Sequence, residues 1–379
     1  MDPLWMLIAF ILGFAAFRLG LPPLVGYLIA GFVLQAVGVE GGENLTRIAD
    51  LGVMLLLFTI GLKLRLRSLV KPEIWAGASI HMFITVIVFG AGIYALSLSG
   101  MAVFNALDFK ISLLIAFALS FSSTVFAVKV LEAKGEMSSL HGRVSIGILI
   151  MQDIFAVLFL TFSMGKIPSL WAIALIAGLL MIRPLLLAVL SRVGHHELLL
   201  LFSIFLALGL GAAGFEFVGL KPDLGALVLG VLVAGHPKAE EMAKALLSFK
   251  DLFLVGFFLS IGLSGAPELL AFAIAGLLTV VVGFKVILFF LLLTRFKLRA
   301  RTSVLAAFSL ANYSEFGLLV GTIGVKNGWI GNEWLIIIAI GLSMTFILKP
   351  NLNNCIFSSY GSGPINKFLG LFLFIYISP

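Results

Sequence analysis

Apolar runs long enough to cross a roughly 30 Å hydrocarbon layer, about 17–25 residues each, recur from one end of this chain to the other. Short alternating segments of about ten residues, the mark of a transmembrane barrel, are absent from the sequence. A polytopic, all-helical membrane protein is therefore expected. The composition agrees: 61% of residues are hydrophobic and 11% charged, against about 45–50% and 25% in soluble domains.

Thirteen spans are expected at 3–19, 22–37, 47–63, 73–98, 110–131, 142–164, 168–192, 197–219, 221–236, 246–264, 267–294, 302–325 and 330–349. Alternate loops carry 17 Lys and Arg residues, Arg65, Arg67, Arg299 and Arg301 among them, and the opposite loops carry five: Arg47, Lys110, Lys166, Lys221 and Lys326. The positive-inside rule then places the N-terminus outside and the C-terminus in the cytoplasm. The net charge of +7 is spread over loops between spans, which disfavours a nucleic-acid partner, and the single Cys355 excludes an internal disulfide. Asp2 and the lack of a basic leader make residues 3–19 a first span and not a cleaved signal.

Three segments of the first half recur in order in the second. Leu21-Pro-Pro-Leu-Val-Gly26-Tyr-Leu28-Ile-Ala-Gly31 is similar to Leu220-Lys-Pro-Asp-Leu-Gly225-Ala-Leu227-Val-Leu-Gly230. Asp50 and Gly61 match Asp251 and Gly262 at identical internal spacing, and Ala116–Ser123 matches Ala307–Ser314. Spans 1–6 (repeat one, about 1–164) map onto spans 8–13 (repeat two, about 197–349), with 168–192 as a linker helix. Seven spans separate the equivalents, an odd number, so the two copies have opposite topology. Inverted repeats with a midplane site are a recurring plan of secondary transporters.

The third pair carries the chemistry. Ser120-Phe-Ser122-Ser123-Thr124 interrupts span 5, and Ala311-Asn-Tyr-Ser-Glu315-Phe-Gly317 interrupts span 12. Hydroxyl and amide side chains compete for backbone hydrogen bonds, so both spans are expected to break and to expose carbonyls and half-helix dipoles mid-membrane. Asp153, preceded by Gln152, sits in an apolar stretch of span 6, where a carboxylate costs roughly 3 kcal/mol on insertion scales. It needs a cation or a proton to hold. Gln152 offers an amide oxygen to a cation and an NH₂ to a carboxylate.

Lys285 lies deep in span 11, where it either neutralises half-helix ends or competes with a cation for Asp153. Glu315, within the second break, is expected to compensate positive half-helix ends. Arg183 in span 7 suits packing or lipid contact, His81 suits an interfacial position, and Asp50 and Asp251 suit helix caps.

At these residues the chain resembles the monovalent cation:proton antiporter-2 family, and within it the Kef-type potassium/proton antiporters. The likeness is carried by Ser122–Lys129, Gln152-Asp153 with Ile154-Phe-Ala156, Phe258–Leu263, Lys285 and Ser314–Gly317, and it covers nearly all of 1–350. The resemblance implies a homodimer whose core moves against a dimerisation domain, with Asp153 binding cation and proton alternately. A Gln-Asp pair resembles the potassium-type members. Kef-type proteins usually continue into a nucleotide-binding domain, whereas 351–379 is expected to be a short tail without one; gating by nucleotide or glutathione is therefore not carried over, and a separate regulatory subunit is kept as an optional partner.

The expected function is exchange of a monovalent cation, K⁺ favoured and Na⁺ possible, for H⁺ by alternating access in a bacterial inner membrane. Asp153, Gln152, Ser122, Ser123 and Thr124 form the expected ion site; no cofactor and no metal beyond the transported cation is expected. Two alternatives are a sodium-coupled organic-anion symporter and a passive cation-channel subunit. Five scattered histidines and one cysteine give no catalytic constellation, so the chain is not expected to be an enzyme.

Overall fold

The computed structural model describes residues 2–63, 71–98, 100, 103–104, 107–133, 135–163, 170–218, 220 and 222–359. Arg65, Arg67, Lys134, Lys166 and Lys221, which bear on orientation, and the tail beyond 359 lie outside the described residues.

Among the described residues every regular element is helical. The chain runs α1 (Pro3–Arg18), α2 (Pro23–Ala36), α3 (Glu43–Lys63), α4 (Pro72–Ser97), α5 (Phe109–Ser120), α6 (Thr124–Ala133), α7 (Leu140–Phe162) and α8 (Leu170–Arg192). It continues with α9 (Glu197–Ile204), a π-helical stretch (Phe205–Ala213), α10 (Gly214–Phe217), α11 (Pro222–Val233), α12 (Ala239–Leu263) and α13 (Leu269–Arg295). The last elements are α14 (Ala300–Ser309), α15 (Glu315–Lys326) and α16 (Asn332–Ser359).

Local chemistry sets the starts. Proline opens α1, α2, α4 and α11, at the position where its missing N–H costs nothing and its φ is already helical. Asp108 caps α5 by accepting from the Ile111 N–H at 2.7 Å. By length and composition five helical stretches suffice to cross a membrane among the described residues: Glu43–Leu62, Pro72–Ser97, Glu197–Phe217, Ala239–Leu263 and Leu269–Arg295. Shorter apolar helices accompany them, such as Phe109–Ser120 and Pro222–Val233.

Several expectations need adjusting. The helix α16 continues to Ser359, ten residues past the expected end of the last span. Asp50 and Asp251 are not caps: α3 and α12 begin at Glu43 and Ala239, because each helix carries polar turns ahead of its apolar stretch. The span expected at 197–219 is helical from Glu197 to Phe217 and widens to π geometry over nine residues containing Gly209 and Gly211.

The chain forms two compact units, and each draws on both halves of the sequence. The first comprises Met1–Leu12, Tyr27–Val70 and Asp153–Ser264; the second comprises Gly13–Gly26, Lys71–Gln152 and Gly265–Pro379.

The first unit is built on two backbone-to-backbone helix crossings. A Cβ at Gly31 of α2 would lie 2.6 Å from the Leu259 carbonyl oxygen of α12, and one at Gly262 would lie 2.5 Å from that of Leu28. The second crossing joins α11 to α3. A Cβ at Gly61 would lie 2.5 Å from the Leu227 carbonyl oxygen, and one at Gly230 would strike that of Phe58. Only glycine permits such approach, the usual device for helix association in an apolar solvent. Leu55, Phe58, Leu206, Leu229 and Leu246 fill the core beside the α3–α11 crossing. Arg183 of α8 donates from Nε to the Leu232 carbonyl at 3.0 Å, holding the last turn of α11, so it packs against protein.

In the second unit α4 packs on α5, and α13 on α14 and α16. The α4 and α5 helices are antiparallel: Tyr94 meets Phe109 edge-on at 5.5 Å, and Gly90 faces Leu113.

Candidate functional site

The second unit holds both interruptions, and they touch. Helix α5 ends at Ser120, Phe121 is extended (φ −68°, ψ 151°), and α6 starts at Thr124. Helix α14 ends at Ser309, and α15 starts at Glu315 with Ser314 as its cap, accepting from the Phe316 N–H at 3.2 Å. The two broken segments approach closely enough that a Cβ at Gly317 would lie 2.5 Å from the Ala118 carbonyl oxygen.

The ends freed by the breaks are satisfied in two ways. Lys285 of α13, fully buried, donates to the carbonyls of Leu119 (3.2 Å), Phe121 (2.8 Å) and Asn312 (3.1 Å). An ammonium has three N–H donors, and these three carbonyls account for all of them. The group therefore neutralises the carbonyl end of α5 and ties it to the second break. It also lies 5.2 Å from the centroid of the Tyr313 ring, a favourable place for a cation.

On the opposite, donor side, the Ser122 N–H donates to Gln152 Oε1 at 2.9 Å, and the Ser123 N–H donates to Asn312 Oδ1 at 2.9 Å. Two neutral amides thus receive the backbone entering α6. Ser123 Oγ is engaged as well, accepting from the Phe126 N–H at 3.3 Å. Because Gln152 Oε1 receives a donor, the orientation of that amide is fixed, and its Nε2 is the end left over.

What remains uncommitted is specific. The hydroxyls of Ser122 and Thr124, the amide nitrogens Gln152 Nε2 and Asn312 Nδ2 and the carboxylate oxygen Glu315 Oε2 are buried without a hydrogen-bond partner. Buried polar groups are nearly always satisfied, so a set of five around one crossing is suited to a ligand or water. Glu315, 6% exposed, stands at the first position of α15, where a carboxylate faces the positive end of that helix. Asp153 follows Gln152 directly in α7 and is also buried, at 6% exposure; it opens the stretch of α7 that belongs to the first unit.

The structure thus brings Gln152, Ser122, Ser123, Lys285 and the second break together. Asn312 was not singled out from sequence, although it bonds both to the first break and, through its carbonyl, to Lys285. His81 is wholly buried, on the α4 stripe Ile74, Ala78, His81, Thr85, Phe89 that turns inward, and its ring nitrogens are without a hydrogen-bond partner.

The profile of sodium/hydrogen exchanger transmembrane domains matches residues 6–354. The chain belongs to the sodium/hydrogen exchanger family. It is accordingly an integral membrane protein of a cation/proton antiporter family. Curated relatives of this chain include a putative cation/proton antiporter, YbaL, of Escherichia coli (strain K12), 29% identical over 382 residues, 92% of this chain and 66% of that protein. Another is the glutathione-regulated potassium-efflux system protein KefC of Enterobacter sp. (strain 638), 28% identical over 363 residues, 89% of this chain and 57% of that protein. The chain thus spans about two thirds or less of the length of these relatives. Among solved structures, the sodium proton antiporter MjNhaP1 from Methanocaldococcus jannaschii superposes with a TM-score of 0.59 over 91% of this chain and 93% of that one. At 16% identity that likeness speaks for the fold.

Proposed function

We propose that this exchanger trades a monovalent cation, K⁺ by preference, for protons, with the Asp153 carboxylate holding one or the other. The observation that carries the reading is the pair of touching helix breaks, which leaves the Ser122 and Thr124 hydroxyls unspent beside Gln152, the residue before Asp153. Hydroxyl and carboxylate oxygens suit a hard monovalent cation, and a buried carboxylate stripped of its cation regains neutrality by taking a proton. Gln152 acts through its grip on the Ser122 N–H, and Ser123 as the cap of α6, while Lys285 and Glu315 compensate the half-helix ends. The potassium preference is supported by the KefC relatives, whose names describe potassium efflux.

Exchange proceeds by alternating access around this site. The chain crosses the membrane thirteen times as two inverted repeats, N-terminus outside and C-terminus in the cytoplasm of a bacterial inner membrane, and it works as a homodimer open to a separate regulatory subunit. The glycine crossings support the repeat. Exchanging equivalents (Gly31 with Gly230, Gly61 with Gly262, Leu28 with Leu227, and Phe58 with Leu259) turns the α2–α12 crossing into the α11–α3 crossing. Replacing Asp153 by Asn tests the reading: cation-driven proton movement in proteoliposomes is lost if the carboxylate is the shared site, and persists if it is not.

A further inference from the structure

His81 is a wholly buried titratable side chain of the second unit that neither the crossing nor the ion site uses. It is 0% exposed, nine residues into α4, about 14 Å from the helix start at 1.5 Å per residue. Its ring lies flat on Phe289 of α13, with centroids 3.5 Å apart and planes 6° from parallel. Phe289 is one turn beyond Lys285 on α13. Neither ring nitrogen of His81 makes a hydrogen bond. One turn further along the same stripe, the hydroxyl of Thr85 is equally buried and also without a partner.

The depth of this pair is set by the antiparallel packing of α4 on α5. From the Gly90–Leu113 contact, seven residues back along α4 and seven forward along α5 bring Phe83 level with Ser120, the last residue of α5, so His81 lies about 3 Å further on, at the level where the first break begins. Three orphaned polar atoms at i and i+4 on one inward stripe would each be destabilising if left dry. Buried water is the ordinary remedy, and a water needs two to four polar partners.

We propose that His81 and Thr85 hold a buried water on this face of α4, and that His81 relays protons through it. The proton adds to the unprotonated ring nitrogen while the N–H on the other nitrogen gives its proton to a second water. The ring stays neutral and ends as its other tautomer. Neutrality is what the surroundings require, since a lasting imidazolium would stand beside the Lys285 ammonium in a region of low dielectric. Besides Lys285, the charged or titratable groups on the helices packed against this stretch are Arg295 on α13, Lys110 on α5 and His141, Arg143 and Asp153 on α7, which meets α4 where Gly147 faces Ile74. The relay rests on the cation/proton exchange proposed above.

The test compares wild type, His81→Phe, Thr85→Val and Asp153→Asn as full chains in proteoliposomes, reading K⁺-driven pH change in H₂O and in D₂O. Phenylalanine keeps the stack on Phe289 and removes both nitrogens. The relay predicts that His81→Phe slows proton movement at least about tenfold, the low side of what general acid–base groups contribute, and alters the solvent isotope effect. Thr85→Val should slow it less, and K⁺-dependent thermal stabilisation should survive in both. Wild-type rates and isotope effects in both variants overturn the relay. If His81→Phe does not fold, Thr85→Val decides alone: slowed proton movement with intact K⁺ stabilisation supports the relay, and wild-type behaviour overturns it. Normal exchange by Asp153→Asn takes down the exchange reading and the relay together, whereas a dead Asp153→Asn beside an unimpaired His81→Phe removes the relay only.

Discussion

Ser123 and Asn312, 189 residues apart in sequence, are joined by a buried hydrogen bond of 2.9 Å from the backbone N–H of one to the side-chain oxygen of the other. That bond ties the first helix break to the second, and the Asn312 carbonyl extends the tie to Lys285. Removing the acceptor strands a buried N–H, at a cost of about 1–3 kcal/mol. Asn312→Leu should therefore melt well below wild type in detergent, while Asn312→Asp, which keeps an acceptor oxygen, should lose less. Equal losses in the two variants would deny the bond its role.

Lys285 serves three carbonyls at once. Lys285→Met leaves them unserved beside uncompensated half-helix ends, and about 3–5 kcal/mol of stability should go with the charge, as when one partner of a buried pair is removed. Lys285→Arg should rescue poorly, because a planar guanidinium fork does not match three converging carbonyls. Denaturant titration of the purified protein gives the comparison, and a fully stable methionine variant would contradict the assignment.

The two serines of the first break should separate by phenotype. Ser122 Oγ is unspent, whereas Ser123 Oγ accepts from the Phe126 N–H. Ser122→Ala should raise the K⁺ concentration for half-maximal exchange by about tenfold or more, the worth of a hydrogen bond to a charged group. Ser123→Ala should act mainly on stability, as the loss of an N-cap costs about 1 kcal/mol. Concentration dependence of exchange and thermal melts, run on both variants, check the split; identical behaviour would count against it.

Alanine at Gly31, Gly61, Gly230 or Gly262 places a methyl group against a neighbouring backbone. Each should destabilise by about 1–3 kcal/mol, the usual range for overpacking, and equivalent positions of the two crossings should lose similar amounts. Gly178 has open space where its Cβ would stand, so Gly178→Ala should cost nothing. Melting temperatures of the five variants settle the matter.

The apolar runs made the helices legible, and the hydroxyl clusters at 120–124 and 311–317 marked the breaks, since both signals are local. Partnership across the chain was not legible. Asn312 reads in sequence as one more helix-loosening residue, because nothing local indicates that its amide meets Ser123. The burial of His81 was hidden for a related reason. Apolar residues occupy every face of α4 and α13, so no stripe reveals which side turns inward. The interleaving of the two units was hidden in the same way: helices that are apolar all round do not name their neighbours. The glycines at 31, 61, 230 and 262 were visible as repeat matches, but their role as crossing points required the fold.

The central claim is that one carboxylate, Asp153, serves cation and proton in turn. The most direct test loads a pH-sensitive dye into proteoliposomes and adds Li⁺, Na⁺, K⁺ or Rb⁺ outside, for wild type and Asp153→Asn in parallel. The account predicts a cation-driven pH change in wild type, largest with K⁺, and none with Asp153→Asn. A pH change of wild-type size in the asparagine variant would contradict it.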